Sequence, residues 1–476
     1  MDTVKGKKLH IVMLPWLAYG HITPFLELSK RLAEKGHHIS FVSTPRNIGR
    51  LPEIPEHLTP LINLVKLPFP PDKIDEGLPP GAESMSDISS NKLPLLLKAF
   101  EGLQDQIAEF LESSIPDWIM YDPFAFWVLP LFAASKKLAR SVSKALFLNI
   151  SASSLCFYFP SSQGNDISVG RSNLEDFLFP PKWIPFPNKL AYRTHEVISV
   201  AEQLDGYADD AVTLPQCFHT SVTGCDAIFM QGCLELEANY FKLLEELHGR
   251  RVLATGLLTP AFYHQGIEDD GWQLIKDWLG KRENGSVVYI ALGSEATPSQ
   301  QMLTELALGL ELSELPFFWA LRKPKADEDS LELPDGFEER TKDRGLVWRS
   351  WAPQLKILHH DSIGGFLSHC GWNSTLDGLQ FGRPFIMLPL HGDQGLNARL
   401  LEEKEVGIEI PRDELDGSFT RNSVAETLKL VLMDEAGKLY REKAAQMREL
   451  VGDRNLHQQY IDKLEEFMCS KNRRDE

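Results

Sequence analysis

Apolar positions in this chain fall into short, nearly continuous runs, separated by stretches whose apolar residues recur at helical spacing. Near the start, Leu9-His-Ile-Val-Met-Leu14 reads as a buried strand and Pro15 to Thr23 as a loop. Pro24 to Glu34 reads as a helix that opens on proline, whose fixed φ and missing N–H suit a first helical position. Gly36 ends that helix, and Ile39-Ser-Phe-Val-Ser-Thr44 is the next strand. Two strands joined through a helix run parallel, with a right-handed crossover. Further runs at Ile62 to Leu67, Trp118 to Tyr121 and Ala145 to Ile150 enclose helix-compatible stretches such as Leu93 to Leu111.

A second series starts near Val252, with strands expected at Val287 to Leu292, Phe317 to Leu321, Gly345 to Trp348, Gly364 to Ser368 and Phe385 to Leu388. Helical patterns such as Gln300 to Glu311 separate them. Gly164 to Pro187, rich in glycine, serine, proline and aromatics, reads as an irregular excursion. Leu257 to Gly271, with its Glu268-Asp269-Asp270 run, reads as a linker. The class is α/β, with two doubly wound domains facing each other across a cleft: residues 1–250, residues 251–455, and a C-terminal helix at 456–476 that returns to the first domain. Ligands on such sheets sit beyond the carboxyl ends of the strands. The loops after Leu14, Tyr121, Leu292, Ser368 and Leu388 are therefore where chemistry is expected.

Length supports two domains, since 476 residues exceed what one core usually organises. A formal net charge of -18 opposes nucleic acid and anionic membrane as partners. No stretch approaches the roughly 18 uninterrupted apolar residues of a spanning helix, and the opening lysines and apolar run lack a small-x-small cleavage site. The 6 cysteines are too sparse for a disulfide scaffold, which points to a reducing, cytoplasmic compartment.

The densest chemical signal is Trp351 to Gln394, which opens with WAPQ, carries SHCGWNST in its middle and closes with HGDQ. Gly364 to Ser368 runs into His369-Cys-Gly-Trp-Asn373, and Ser374-Thr375 can cap a helix continuing through Asp377-Gly378-Leu379. A helix start presents unpaired backbone N–H groups and a positive dipole end, which suits a diphosphate. His369, Asn373 and Ser374 add side-chain donors, Asp377 can accept from vicinal hydroxyls, and Trp351 offers a flat face to a base. On its own, SHCGWNST is also compatible with a tight strand-to-helix turn.

The whole stretch resembles the signature box of plant UDP-dependent glycosyltransferases of family one, and the resemblance extends over essentially the entire chain. It implies the GT-B fold, with the donor held mainly by the C-terminal half. It also implies Trp351 stacking on uracil, Gln354 near the nucleoside, and His369, Asn373 and Ser374 at the phosphates, with Ala352 and Gly371 also in the donor site. Trp372, Asp393 and Gln394 would meet the sugar. The ribose position, usually glutamate in that family, is Asp377 here, one methylene shorter. Gly293-Ser294 resembles the family's glycine-serine turn near the phosphates, which adds Ser294 to the donor set.

Gly20-His21, in the loop after the first strand, lies at the ligand edge of the sheet, and Tyr121-Asp122-Pro123 places a carboxylate in a corresponding loop. A lone histidine there is more often a cap than a catalyst, whereas histidine paired with carboxylate makes a good base near neutral pH. By resemblance, His21 and Asp122 are the catalytic pair and Gly20 adjoins the donor. Aromatics cluster at Phe124, Phe126, Trp127, Phe157, Tyr158 and Phe159, most of them as core. Tyr19, Phe124, Trp127, Phe157 and His391 are the candidates for lining an acceptor pocket.

No G-x-G-x-x-G follows the first strand, and G-x-x-x-x-G-K-[ST] and G-x-S-x-G are absent, so nicotinamide, P-loop and hydrolase chemistry have no support. Asp327-Glu328-Asp329 is formally a metal-binding D-x-D, set among lysines and proline in what reads as a solvated loop. The resulting expectation is an inverting, metal-independent transferase acting as a monomer. It moves glucose from UDP-glucose, a co-substrate and not a cofactor, to a small acceptor. Ser43 to Ile48 and Leu396 to Leu401 look like the branch that extends sugar chains on flavonoid or terpenoid glycosides, in which UDP-rhamnose is an alternative donor. A nucleotide-sugar-binding protein without turnover and a nucleotide-sugar epimerase are the rival classes.

Overall fold

The structure, a computed structural model, describes residues 7–160, 173–198, 213–258, 270–293, 298–321 and 331–472. The chain divides into two units, one of Met1–Val169, Glu202–Leu258 and Arg454–Glu476, the other of Gly170–Ala201 and Thr259–Asp453.

The first unit is built on seven parallel strands, β1 (His10–Leu14), β2 (His38–Ser43), β3 (Ile62–Lys66), β4 (Trp118–Tyr121), β5 (Ser143–Leu148), β6 (Ala227–Met230) and β7 (Val252–Ala254), in the order β3-β2-β1-β4-β5-β6-β7. Helices cover a parallel sheet on both faces, so its strands read as unbroken apolar runs. β4 is an example, with Trp118, Ile119, Met120 and Tyr121 all fully buried. Val252–Ala254 was expected to open the second domain, yet it pairs with β6, Ile228 against Val252, as the last strand of the first sheet. A three-residue strand has no periodicity by which to assign it to either sheet.

The second unit carries six parallel strands, β8 (Val287–Ala291), β9 (Phe317–Ala320), β10 (Gly345–Trp348), β11 (Ile363–Ser368), β12 (Phe385–Met387) and β13 (Gly407–Glu409), in the order β10-β9-β8-β11-β12-β13. Its core gathers Ile290, Phe317, Trp319, Leu367 and Ile386 with Leu306 and Leu428 from the covering helices. Both sheets are therefore doubly wound, and each reverses its strand order once: between β1 and β4 in the first, and between β8 and β11 in the second. At such a switch point the loops of adjacent strands run apart and leave a crevice.

Gly170–Ala201 groups with the second unit, although the sequence division gave all of 1–250 to the first. The reason is ionic: Arg193 donates to Glu409 of β13, and Arg399 lies between Glu409 and Glu196. Tyr192 adds a hydrogen bond from its hydroxyl to the Gly392 carbonyl at 2.9 Å. Arg454–Glu476 belongs to the first unit, because Ile461, Leu464 and Met468 of the helix Arg454–Asn472 are buried in the first core. Each such side chain contributes about 1.5–3 kcal/mol on leaving water. No disulfide joins the six cysteines. Among the described residues, no helix is long and apolar enough to cross a membrane.

Candidate active site

His21 and Asp122 lie at the first switch point, and the segment from His369 to Asp377 follows β11 at the second. In the first sheet, Leu14 lies beside Tyr121 in register, so the segments leaving β1 and β4 start side by side. His21 follows β1 and Asp122 follows β4, and their side chains meet, Nδ1 to Oδ2 at 2.7 Å. Asp122 is fully buried, while the His21 side chain keeps 26% of its surface exposed. The Phe124 N–H donates to the other Asp122 oxygen at 3.1 Å, at the start of the 3₁₀ turn Pro123–Val128. An ionised carboxylate only accepts, so the Nδ1 of His21 carries the proton and Nε2 is the acceptor nitrogen. That is the tautomer a general base needs.

His21 does not lie in a loop. The helix runs Tyr19–Glu34, with Ala18 preceding it, and the His21 N–H donates to the Ala18 carbonyl at 3.0 Å. Pro24 therefore sits inside the helix and not at its start. Proline tolerance at the first position misplaced the boundary by a turn and a half. Inside the helix Pro24 cannot donate to the Gly20 carbonyl, which instead accepts from the Asn149 side chain at 2.6 Å.

In the second sheet, Ala291 of β8 pairs with Ser368 of β11. Gly293 and His369 leave those strand ends together. A Cβ on Gly293 would stand 2.6 Å from Nε2 of His369, and one on Gly371 would stand 2.5 Å from it, so both glycines are what lets the imidazole fit. Burial first, and then nearby His391, push the His369 imidazole down to about 4, which keeps it neutral. Cys370 adopts a left-handed φ of 65, and the helix Trp372–Gln380 begins directly after Gly371. Ser374 is thus in the first turn and is not the cap, and no side chain caps this end. A helix start without a side-chain cap, with its positive dipole end, is the kind of arrangement that suits an anion.

Gln354, at the start of the helix Gln354–His359, donates to Asp377 at 2.8 Å and to Ser374 at 3.2 Å. Burial pushes the Asp377 carboxyl up to about 7, and the Gln354 amide offsets part of that. Trp351, just beyond β10, is 69% exposed. Asn397 donates to the Cys370 carbonyl at 3.0 Å and to Asp393 at 2.9 Å, which ties the middle of the box to its closing end. The Gln394 carbonyl accepts from the N–H groups of Leu390 and His391, so that end of its amide braces its own loop.

Phe157, expected at an acceptor pocket, is fully buried and offers no surface, and Trp127 retains only 5% exposure in an edge contact with Phe100. Both are core, as large aromatics flanking a parallel sheet usually are. Trp372 is likewise buried, with 4% exposure. Phe124 lies near the His21 ring, at 6.1 Å between centroids, and Tyr19, Ala352 and His391 are partly exposed. Ser294 and the Asp327-Glu328-Asp329 run lie outside the described residues. Sequence reasoning missed Asn149 and Asn397. Asn397 stands four residues after Asp393 on a helix, a legible spacing. Asn149 was hidden because its strand was extended to Ile150, whereas β5 ends at Leu148.

Comparison with known proteins agrees with this arrangement. The family described as "UDP-glucoronosyl and UDP-glucosyl transferase" matches residues 269–459. The chain is similar to UDP-glycosyltransferase 91D1 of Stevia rebaudiana, 47% identical over 467 residues, which is 97% of this chain and 93% of that one. It is also similar to the soyasaponin III rhamnosyltransferase of Glycine max, 44% identical over 96% of this chain and 94% of that one. Among solved structures, Glycyrrhiza uralensis UGT73P12 complexed with glycyrrhetinic acid 3-O-monoglucuronide superposes with a TM-score of 0.79 at 20% identity, covering 98% of this chain and 96% of that one. The fold is GT-B, and the chain belongs to the plant UDP-dependent glycosyltransferases of family one.

Proposed function

We propose that this glycosyltransferase adds glucose from UDP-glucose to a sugar hydroxyl of a terpenoid or flavonoid glycoside, with inversion and without a metal. His21 is the base. Its Nε2 takes the acceptor's hydroxyl proton, the oxygen forms a bond to the anomeric carbon, and the bond from that carbon to UDP breaks on the opposite face. Asp122 holds the Nδ1 proton and stabilises the imidazolium. The charge growing on UDP is met by the first-turn amides of the helix Trp372–Gln380, with neutral His369, Asn373 and Ser374 beside them. Trp351 stacks on uracil, and Asp377 with Gln354 takes the ribose.

The observation that carries this reading is the 2.7 Å contact between His21 and Asp122, at the strand ends where the fold leaves its crevice. Against a binding protein without turnover stands the intact pair, and against an epimerase stands the family. The six cysteines, unlinked by disulfides, support a cytoplasmic setting. A rhamnosyl reading has one specific support, the relative named as a rhamnosyltransferase. The test offers UDP-glucose and UDP-rhamnose in turn to a panel of terpenoid and flavonoid glycosides and their aglycones. The expected result is acceptor-dependent UDP release and a hexose gained by the glycosides in β linkage. A deoxyhexose gain would replace only the donor assignment, and UDP release unaffected by acceptor would refute the transfer.

A further inference from the structure

The first turn of the helix that carries His21 is held from two sides. On one side, the imidazole meets Asp122, which follows β4. On the other, the Asn149 side chain, which follows β5, donates to the Gly20 carbonyl at 2.6 Å. β5 is the neighbour of β4, so both contacts come from the same end of the sheet. The second contact has a definite cause in the sequence. Pro24 lies four residues after Gly20 within the helix Tyr19–Glu34, and proline has no N–H with which to make the helical bond to that carbonyl. Only the NH2 end of the asparagine amide can face a carbonyl, so its orientation is set. Nothing in the proposed chemistry uses Asn149, and its partner is the residue adjoining the base.

We propose that Asn149 is a positioning residue for glycosyl transfer: it supplies the hydrogen bond that Pro24 withholds from Gly20 and so fixes the turn that aims His21. The inference rests on the reading of His21 as the base. The backbone around Gly20 sets where the imidazole stands, and a displacement on the order of 1 Å at a reacting group costs about 10²-fold in rate.

Asn149→Ala is expected to lower kcat by about 10- to 100-fold, with the donor KM and UDP affinity within about twofold of the parent. Asn149→Asp, the same size but facing oxygen to oxygen, is expected to be at least as damaging. In the Pro24→Ala background residue 24 regains an N–H for the Gly20 carbonyl, so Asn149→Ala should cost less than about threefold there. In the His21→Ala background Asn149→Ala should cost nothing further. A rise in donor KM at unchanged kcat, full activity of Asn149→Asp, or equal losses in all backgrounds would overturn the proposal. Should Pro24→Ala fail to fold, the aspartate variant and the His21 background decide. The two readings fail separately. Activity retained by His21→Ala removes the base and this inference with it, whereas an inactive His21→Ala beside a fully active Asn149→Ala removes only the inference.

Discussion

Replacing Asp122 with asparagine exchanges one carboxylate oxygen for an NH2 group and leaves the shape of the first switch point intact. Its consequence follows from the two hydrogen bonds the carboxylate accepts, from the Phe124 N–H at 3.1 Å and from His21 Nδ1 at 2.7 Å. The backbone donor requires an oxygen, so the amide NH2 of the variant is turned toward His21. The imidazole must then accept at Nδ1 and carry its proton on Nε2, where it cannot take one from an acceptor. Charge adds to this. Two full charges 2.7 Å apart at an effective dielectric of about 20 attract by about 6 kcal/mol, and a proton half transferred realises about half of that. The electrostatic part alone is thus about 3 kcal/mol, or on the order of 10²-fold. With the tautomer reversed as well, Asp122→Asn is expected to lose about 10³-fold or more in kcat. Initial rates of acceptor-dependent UDP release at saturating donor measure this, with UDP binding by calorimetry as the control. A loss of less than tenfold, or one confined to donor KM, would refute the reasoning.

Three further outcomes follow from the second unit. Gly293→Ala places a Cβ 2.6 Å from His369 Nε2 at a φ of +86, so about 1–2 kcal/mol of backbone strain and a displaced imidazole are expected. A lower Tm and a several-fold higher donor KM report it, and parental values of both would contradict it. Arg399→Leu strips Glu196 and Glu409 of a buried partner and should cost on the order of 3 kcal/mol in denaturant unfolding, although Arg193 still pairs with Glu409. A change below about 1 kcal/mol would mean the network adds little. Asp377 has its carboxyl raised to about 7, above the unfolded value, so the folded state binds more protons between about pH 4 and pH 7 and loses stability as pH rises through that window. The Tm advantage of Asp377→Asn over the parent should therefore grow from about pH 4 to pH 7 and then level off, and a pH-independent difference would show that the carboxyl titrates normally.

The strands of both sheets were legible because a parallel sheet buried on both faces writes itself as unbroken apolar runs, as in Trp118 to Tyr121 and Val287 to Ala291. The signature box was legible because its chemistry is contiguous, from Trp351 to Gln394. Contacts between distant segments were not. His21 and Asp122 could be placed in loops at the same edge of the sheet and paired by resemblance, but not brought into contact, since their meeting depends on the adjacency of β1 and β4 and no periodicity encodes strand order. Arg193, Glu196, Arg399 and Glu409 look like ordinary surface charges in sequence, yet their ion pairs tie a whole segment to the second unit. Pro24 misled for a physical reason: proline favours a first helical position, but the structure uses it about a turn and a half further in and compensates from the segment after β5.

The proposed role of His21 is tested most directly by removing its imidazole. In His21→Ala, acceptor-dependent UDP release at saturating donor should fall by about 10³-fold or more, while UDP affinity stays within about twofold of the parent, because the base acts only on the acceptor proton. Transfer at more than a tenth of the parental rate, with the same product and the same UDP affinity, would contradict it.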